Sequence, residues 1–170
     1  MNLENKVAYI TGGSKGIGLG VAQSLLSKGM KVAISGRNEA SLKEALTQLG
    51  NSEGVLAIKS DVTILADEEK AVETILQHWG QLDVVIANAG VGHFAPVDQL
   101  SSEAWQSMMR TNLDGVFHTL KASVESLKTS QEYYITLASL EGTNYFAQGA
   151  CYNATKFGVV GFTQAAMLDL

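Results

Sequence analysis

Lys6-Val7-Ala8-Tyr9-Ile10 runs directly into Thr11-Gly12-Gly13-Ser14-Lys15-Gly16-Ile17-Gly18 and then into Leu19-Gly20-Val21-Ala22-Gln23-Ser24-Leu25-Leu26. The first five residues have the apolar, β-prone character of a buried strand, and the last eight read as a helix. Between them lies a glycine-rich turn with the spacing Gly-x-x-x-Gly-x-Gly. Glycines allow a tight turn and close backbone approach, and the free N–H groups of a helix start face an anion. Such a turn can hold a phosphate, although glycine-rich turns also serve as plain connectors. The remaining sequence decides between these uses.

Working outward, short β-rich runs alternate with longer helical ones. Strands are expected at 6–10, 31–35, 55–59, 82–87 and 132–138, and helices at 17–27, 39–49, 66–79, 102–127 and 149–170. Leu42, Ala45, Leu46 and Leu49 follow i, i+3, i+4, i+7 spacing, with Lys43, Glu44 and Gln48 opposite; Ala71, Val72, Ile75, Leu76 and Trp79 repeat the pattern. Alternating strands and helices imply βαβ units and a parallel sheet. With right-handed crossovers, the fold class is α/β, a Rossmann-type doubly wound parallel sheet of strand order 3-2-1-4-5. Its crevice lies at the carboxyl ends of strands 1 and 4, beside both the glycine turn and Ala87-Asn88-Ala89-Gly90.

Composition fits a sheet covered on both faces. Charged residues make up 17% of the 170, below the ordinary share of about a quarter. A net charge of -5 argues against nucleic acid as the main partner. No apolar run approaches the ~18–20 residues that span a bilayer. Met1-Asn2-Leu3-Glu4-Asn5 lacks the basic and apolar regions of a signal peptide, and the lone Cys151 can form no internal disulfide. A cytoplasmic setting is the expectation.

Within the expected crevice, the P-loop reading fails because no Gly-Lys-Ser/Thr follows the turn at the required spacing. A dinucleotide suits the turn better. NAD-binding folds place a carboxylate about 20 positions on to bind the ribose 2′-hydroxyl. Here the second strand ends Ile34-Ser35-Gly36-Arg37-Asn38 with no carboxylate at its tip. Arg37 and Lys15 supply two cations and favour a ribose carrying a 2′-phosphate, hence NADP; the alternative is that both are solvated surface charges. Asp61, before Val62 at the end of the third strand, either accepts from an adenine amine or caps the turn. The Asn88 amide is placed to tie neighbouring strand ends together under the cofactor.

Farther along, Tyr152 and Lys156 stand at i and i+4 on one expected helix face. An ammonium beside a phenol stabilises the phenolate, which makes tyrosine usable as a general acid or base. Ser139 ends the fifth strand and could hydrogen-bond a substrate oxygen or merely cap a turn. Asn112 lies mid-helix, where asparagine is either exposed or recruited for its amide.

These residues together resemble the short-chain dehydrogenase/reductase family over essentially the whole chain, closest in character to 3-oxoacyl-carrier-protein reductases. The resemblance rests on Thr11, Gly12, Gly16 and Gly18 of the turn, Asp61-Val62, Asn88-Ala89-Gly90, Asn112, Ser139 and the Tyr152-x-x-x-Lys156 pair. It implies an NADP-dependent oxidoreductase that transfers hydride between NADPH and a ketone or secondary alcohol. Tyr152 would be the general acid/base, Ser139 would orient the substrate oxygen, and Lys156 would bind the nicotinamide ribose and ease deprotonation of Tyr152. Asn112 would hold a water linking Lys156 to solvent. The cofactor would be held by Thr11, Gly12, Ser14, Lys15, Gly16, Ile17, Gly18, Arg37, Asp61, Val62, Asn88, Ala89, Gly90, Tyr152 and Lys156, with no metal. A homodimer or homotetramer is also implied, joined through the helices at 102–127 and 149–170.

The chain departs from the family at its end. Phe157 to Leu170 finishes in helical pattern with no stop signal, whereas the family continues into a further strand, a substrate loop and a last strand. Residues 1–170 are thus expected to form a single NADP-binding domain that is truncated C-terminally, lacks the last strands and leaves the fifth strand as a sheet edge. The rival expectation is a catalytically impaired NADP-binding sensor or assembly scaffold.

Overall fold

The computed structural model describes residues 3–131 and 133–170. Five strands, β1 (Val7–Thr11), β2 (Lys31–Gly36), β3 (Val55–Lys59), β4 (Val84–Ala87) and β5 (Tyr133–Thr136), form one sheet in the order β3-β2-β1-β4-β5. All four pairings are parallel, with Ile10 opposite Ile34 on one side and Ile86 on the other. This is the doubly wound order expected from the sequence. The beginning of the expected fifth strand, Glu132, lies outside the described residues.

Strand alternation divides the core between the two faces of the sheet. Ala8, Ile10, Val32, Ile34, Val84 and Ile86 pack toward Ala22 of helix α1 (Gly16–Leu26) and Leu42 and Ala45 of α2 (Glu39–Gln48). Val7, Tyr9, Ala33 and Val85 point the other way, to Ala71, Val72 and Ile75 of α3 (Leu65–Trp79). Each fully buried Val or Ile contributes about 1.5–3 kcal/mol of burial, so the central strands fix the fold firmly. β5 is different. It is only four residues long and pairs with β4 alone, and Tyr133 and Ile135 are 55% and 45% exposed.

One expected element needs correction. The single helix foreseen over 102–127 is α4 (Ser102–Met109), a π-helical turn (Arg110–Asp114) and α5 (Gly115–Ser130). A π turn inserts one extra residue per turn and commonly marks a functional site. Here Val62 packs against its far end, where a Cβ on Gly115 would stand 2.7 Å from the Val62 side chain. Asn112, 1% exposed, sits within the turn and has its amide fully engaged. The last helix, α6 (Ala150–Asp169), lies within the expected 149–170 and carries Tyr152 and Lys156.

Candidate active site

The carboxyl ends of the strands open onto a cavity of about 350 Å³. Gly12, Ser14, Lys15 and Ile17 line it from the glycine turn, Arg37, Asn38 and Ser41 from the end of β2 and the start of α2, and Ser60, Asp61 and Val62 from beyond β3. Asn88, Ala89, Gly90, Val91 and Thr111 close the opposite wall. Of the cofactor residues expected from the sequence, Thr11, Gly16, Gly18, Tyr152 and Lys156 are not part of this lining.

Backbone shape explains why the turn is built from glycine. Gly12 has φ +64°, and a Cβ on it would lie 2.9 Å from Ala89 Cα; at Gly18 a Cβ would lie 2.5 Å from Asn88 Nδ2. Both contacts press the turn against the end of β4. Asn88 locks the same junction. Its Nδ2 donates to the carbonyls of Thr11 (2.8 Å) and Gly12 (3.1 Å), while the N–H groups of Asn88 and Ala89 both donate to Thr11 Oγ1 at 3.1 Å. Thr11 and Gly18 thus act by shaping the junction.

The donors suit an anionic dinucleotide. Helix α1 starts at Gly16 with no side-chain cap, in contrast to α2, where Asn38 accepts from the Ser41 N–H. Its leading N–H groups and positive dipole end stand beside the cavity. Lys15 and Arg37 are exposed and form no ion pair among the described residues. Asp61 Oδ1 accepts from the Thr63 N–H at 3.0 Å, and its own N–H donates to Asp67. The residue therefore caps the turn into α3 while it lines the cavity.

Beyond Gly90 the wall continues toward α6. Asn112 Oδ1 accepts from the Val91 N–H, and Nδ2 donates to the Val91 carbonyl, both at 2.8 Å; Nδ2 also donates to Thr155 Oγ1 at 3.2 Å. The amide thereby joins the cavity wall, the π turn and α6. Gly92 follows, where a Cβ would lie 3.8 Å from the Tyr152 ring. Lys156 is buried and donates to the Leu137 carbonyl at 2.6 Å, with Nζ 5.7 Å from the Tyr152 ring centroid. Burial pushes its ammonium below the ordinary lysine value, partly offset by the negative charge of Glu141. The Tyr152 ring packs at a tilt against Phe94, 5.5 Å between centroids, and Phe94 lies 5.7 Å from Phe146.

Ser139 has a partner that the sequence reading missed. Its hydroxyl donates to the Glu141 carboxylate. That bond, a bond from Glu141's own backbone and the charge of Lys156 hold the Glu141 carboxyl below the usual range. Glu141 stands two residues after Ser139, but that proximity alone does not show how the two side chains turn. Thr155 carries no such signal, because its contact with Asn112 joins segments 43 residues apart in sequence.

The short chain dehydrogenase profile matches residues 6–170, and the chain belongs to that family. It is 34% identical over 166 residues to the 3-oxoacyl-(acyl-carrier-protein) reductase FabG of Vibrio cholerae, covering 97% of this chain and 67% of that protein. Among solved structures, an alcohol dehydrogenase from Thermococcus sibiricus complexed with 5-hydroxy-NADP superposes with a TM-score of 0.92 at 32% identity, covering 98% of this chain and 72% of that one. A 3-ketoacyl-(acyl-carrier-protein) reductase from Brucella melitensis complexed with NADH gives 0.92 at 30% identity, with coverage of 99% and 71%. A nicotinamide cofactor and oxidoreductase chemistry follow from the family. Among the described residues, no helix is long and apolar enough to cross a membrane, and no cluster of metal-ligating side chains occurs.

Proposed function

We propose that the protein is an NADP-dependent reductase or dehydrogenase acting on a ketone and its secondary alcohol, with Tyr152 as the general acid/base. The observation that carries this reading is the buried Lys156 ammonium, tied to the Leu137 carbonyl and poised beside the Tyr152 ring at the end of the cavity wall. Lys15 and Arg37, with the hydroxyls of Ser14 and Ser41, form a donor set suited to a 2′-phosphate. A pyrophosphate fits the uncapped start of α1.

When bound, the nicotinamide supplies hydride to a carbonyl carbon or takes it from an alcohol carbon. For reduction, the Tyr152 phenol gives its proton to the carbonyl oxygen as that oxygen gains electrons, and Lys156 offsets the negative charge left on the phenol. Oxidation runs the same transfers backward. Asn112, with its side-chain amide spent on Val91 and Thr155, fixes where α6 meets the cofactor wall. Its backbone lies in the π turn, where a bound water could relay protons. The exposed Phe117 on α5 and Phe157 and Met167 on α6 suit pairing between copies of the chain, and a cytoplasmic homo-oligomer fits this reading.

Substituting Tyr152→Phe tests the assignment. Ketone-dependent NADPH oxidation is expected to fall about 10²–10⁴-fold while NADPH affinity stays within about threefold, because phenylalanine keeps the ring packed against Phe94 and leaves the Lys156 bond to Leu137 in place. Unchanged turnover in that variant would overturn the mechanism and favour a sensor or scaffold that binds cofactor without catalysis.

A further inference from the structure

Glu141 is held in place by α6. Gly142 N–H donates to the Ser139 carbonyl at 2.9 Å, and Asn153 Nδ2 donates to the carbonyls of Glu141 (2.8 Å) and Asn144 (2.6 Å). A Cβ on Gly142 would lie 3.0 Å from the Lys156 carbonyl oxygen, so the turn presses directly on the helix backbone. The turn's backbone is therefore fixed against α6, and the Glu141 carboxylate stands beside Ser139 and within the field of Lys156.

A serine hydroxyl has one proton to give. While Ser139 spends that proton on Glu141, the hydroxyl cannot also donate to a substrate oxygen. A carboxylate offers about four acceptor positions, so it can receive a donor from the substrate as well as, or in place of, the serine. We propose that Glu141 is a specificity-determining residue that selects ketones and alcohols carrying a hydrogen-bond donor, a hydroxyl or an ammonium, on the carbon adjacent to the reacting one. The inference rests on the oxidoreductase reading above. A donor in that position bonds to Glu141 and releases Ser139 to donate to the reacting oxygen. A plain alkyl neighbour leaves Ser139 on the carboxylate, and a carboxylate neighbour meets like charge. The Phe94 ring beside Tyr152, with Phe146 packed against it, offers an apolar shelf for the rest of the substrate.

Three ketones of similar shape test this: 2-hydroxyacetophenone, propiophenone and benzoylformate, each assayed with NADPH and NADH. The unaltered chain should prefer the hydroxyketone over propiophenone by about tenfold or more, the range of a hydrogen bond to a charged group, and should use benzoylformate least. Glu141→Ala should bring the hydroxyketone and propiophenone to within about twofold, through a higher KM for the hydroxyketone and a higher kcat for propiophenone as Ser139 is freed. Glu141→Gln, which keeps an acceptor but no charge, should restore part of the hydroxyketone preference and admit benzoylformate. If turnover is too slow to rank the ketones, calorimetric titration into the NADP⁺-bound chain reads the same order as Kd. An identical rank order and spacing in the unaltered chain and Glu141→Ala overturns this inference and leaves the oxidoreductase reading intact. Failure of all three ketones to bind or react overturns both.

Discussion

The two ends of the crevice are built in different ways. At the nucleotide end, β1 and β2 are buried along almost their whole length, and the functional surface is largely backbone: the glycine turn and the start of α1. At the chemical end, β5 is short and half exposed, and the surface is built from side chains held by single polar contacts, as Asn112 holds Thr155, Lys156 holds the Leu137 carbonyl and Ser139 holds Glu141. The nucleotide end derives its shape from strand packing and the Asn88–Thr11 junction. The chemical end depends on a few polar contacts, any of which can fail alone. Substitutions at the chemical end should therefore change rate with little effect on the nucleotide end.

Lys156→Met is the strongest test of that separation. The thioether fills much of the space but supplies neither the bond to the Leu137 carbonyl nor the charge beside Tyr152. Turnover should drop about 10²–10⁴-fold, measured as ketone-dependent NADPH oxidation. Affinity for adenosine 2′,5′-bisphosphate, a probe of the proposed nucleotide end alone, should stay within about twofold. A parallel loss of bisphosphate binding would show that the two ends are coupled through the sheet.

Glu68 sharpens the comparison from beneath the nucleotide end. Fully buried on α3, it accepts from the hydroxyls of Ser60 (2.6 Å), Thr119 (2.9 Å) and Tyr9 (3.0 Å), and Tyr9 is shared with Ser35. Ser35 and Ser60 also line the cavity, so this network is the polar floor of the site. Glu68→Leu leaves those hydroxyls short of an acceptor and should cost about 2–4 kcal/mol in urea unfolding. Burial raises the Glu68 carboxyl above its usual 4.5, despite the three hydroxyl donors. The folded protein then keeps a proton that the unfolded chain has already lost. Stability attributable to Glu68 is therefore greatest below about pH 4.5 and declines as pH climbs to the raised value. Glu68→Gln should remove that decline, and an unchanged slope between pH 4 and 8 would refute it.

Arg37→Asp probes the nucleotide end itself. Loss of the guanidinium and gain of a carboxylate should weaken NADPH binding about 10–100-fold, the range of a charge-assisted hydrogen bond, while NADH binding holds or improves. An unaltered NADPH-to-NADH ratio would remove the argument for a 2′-phosphate.

The contrast between the two ends also explains what could be read in advance. Strand order, the glycine turn and the Asn88 junction follow from local pattern: continuous apolar runs, glycines at fixed spacing, an amide just past a strand. The π turn at 110–114 leaves no such mark, because Arg110-Thr111-Asn112-Leu113-Asp114 has ordinary helical periodicity and only long-range contacts with Val62, Val91 and Thr155 select the wider turn. Glu68 hid for a similar reason. A glutamate in the first turn of a helix reads as a solvated, dipole-favoured charge, and its burial appears only once β1, β3 and α5 close over it. The residues Ser139, Tyr152 and Lys156 were visible in sequence, whereas the Ser139–Glu141 partnership was not, since two neighbours in a loop say nothing of how their side chains turn.

Adjacent to Arg37, Asn38 allows structure and cofactor choice to be separated at a single position. Its Oδ1 accepts from the Ser41 N–H at 2.9 Å and caps α2, and the residue also lines the cavity. Asn38→Ala should cost about 0.5–2 kcal/mol of stability through the lost cap and leave the NADPH-to-NADH ratio unchanged, because the cation proposed to set the ratio is Arg37. Asn38→Asp should reverse both results. The carboxylate caps at least as well and keeps the stability, but it sets a negative charge beside the proposed 2′-phosphate and should lower NADPH affinity severalfold. Urea unfolding and paired cofactor titrations read the two effects independently. If Asn38→Ala shifts the ratio as strongly as Asn38→Asp does, then α2 itself positions Arg37, and the nucleotide end depends on side-chain placement as much as the chemical end does.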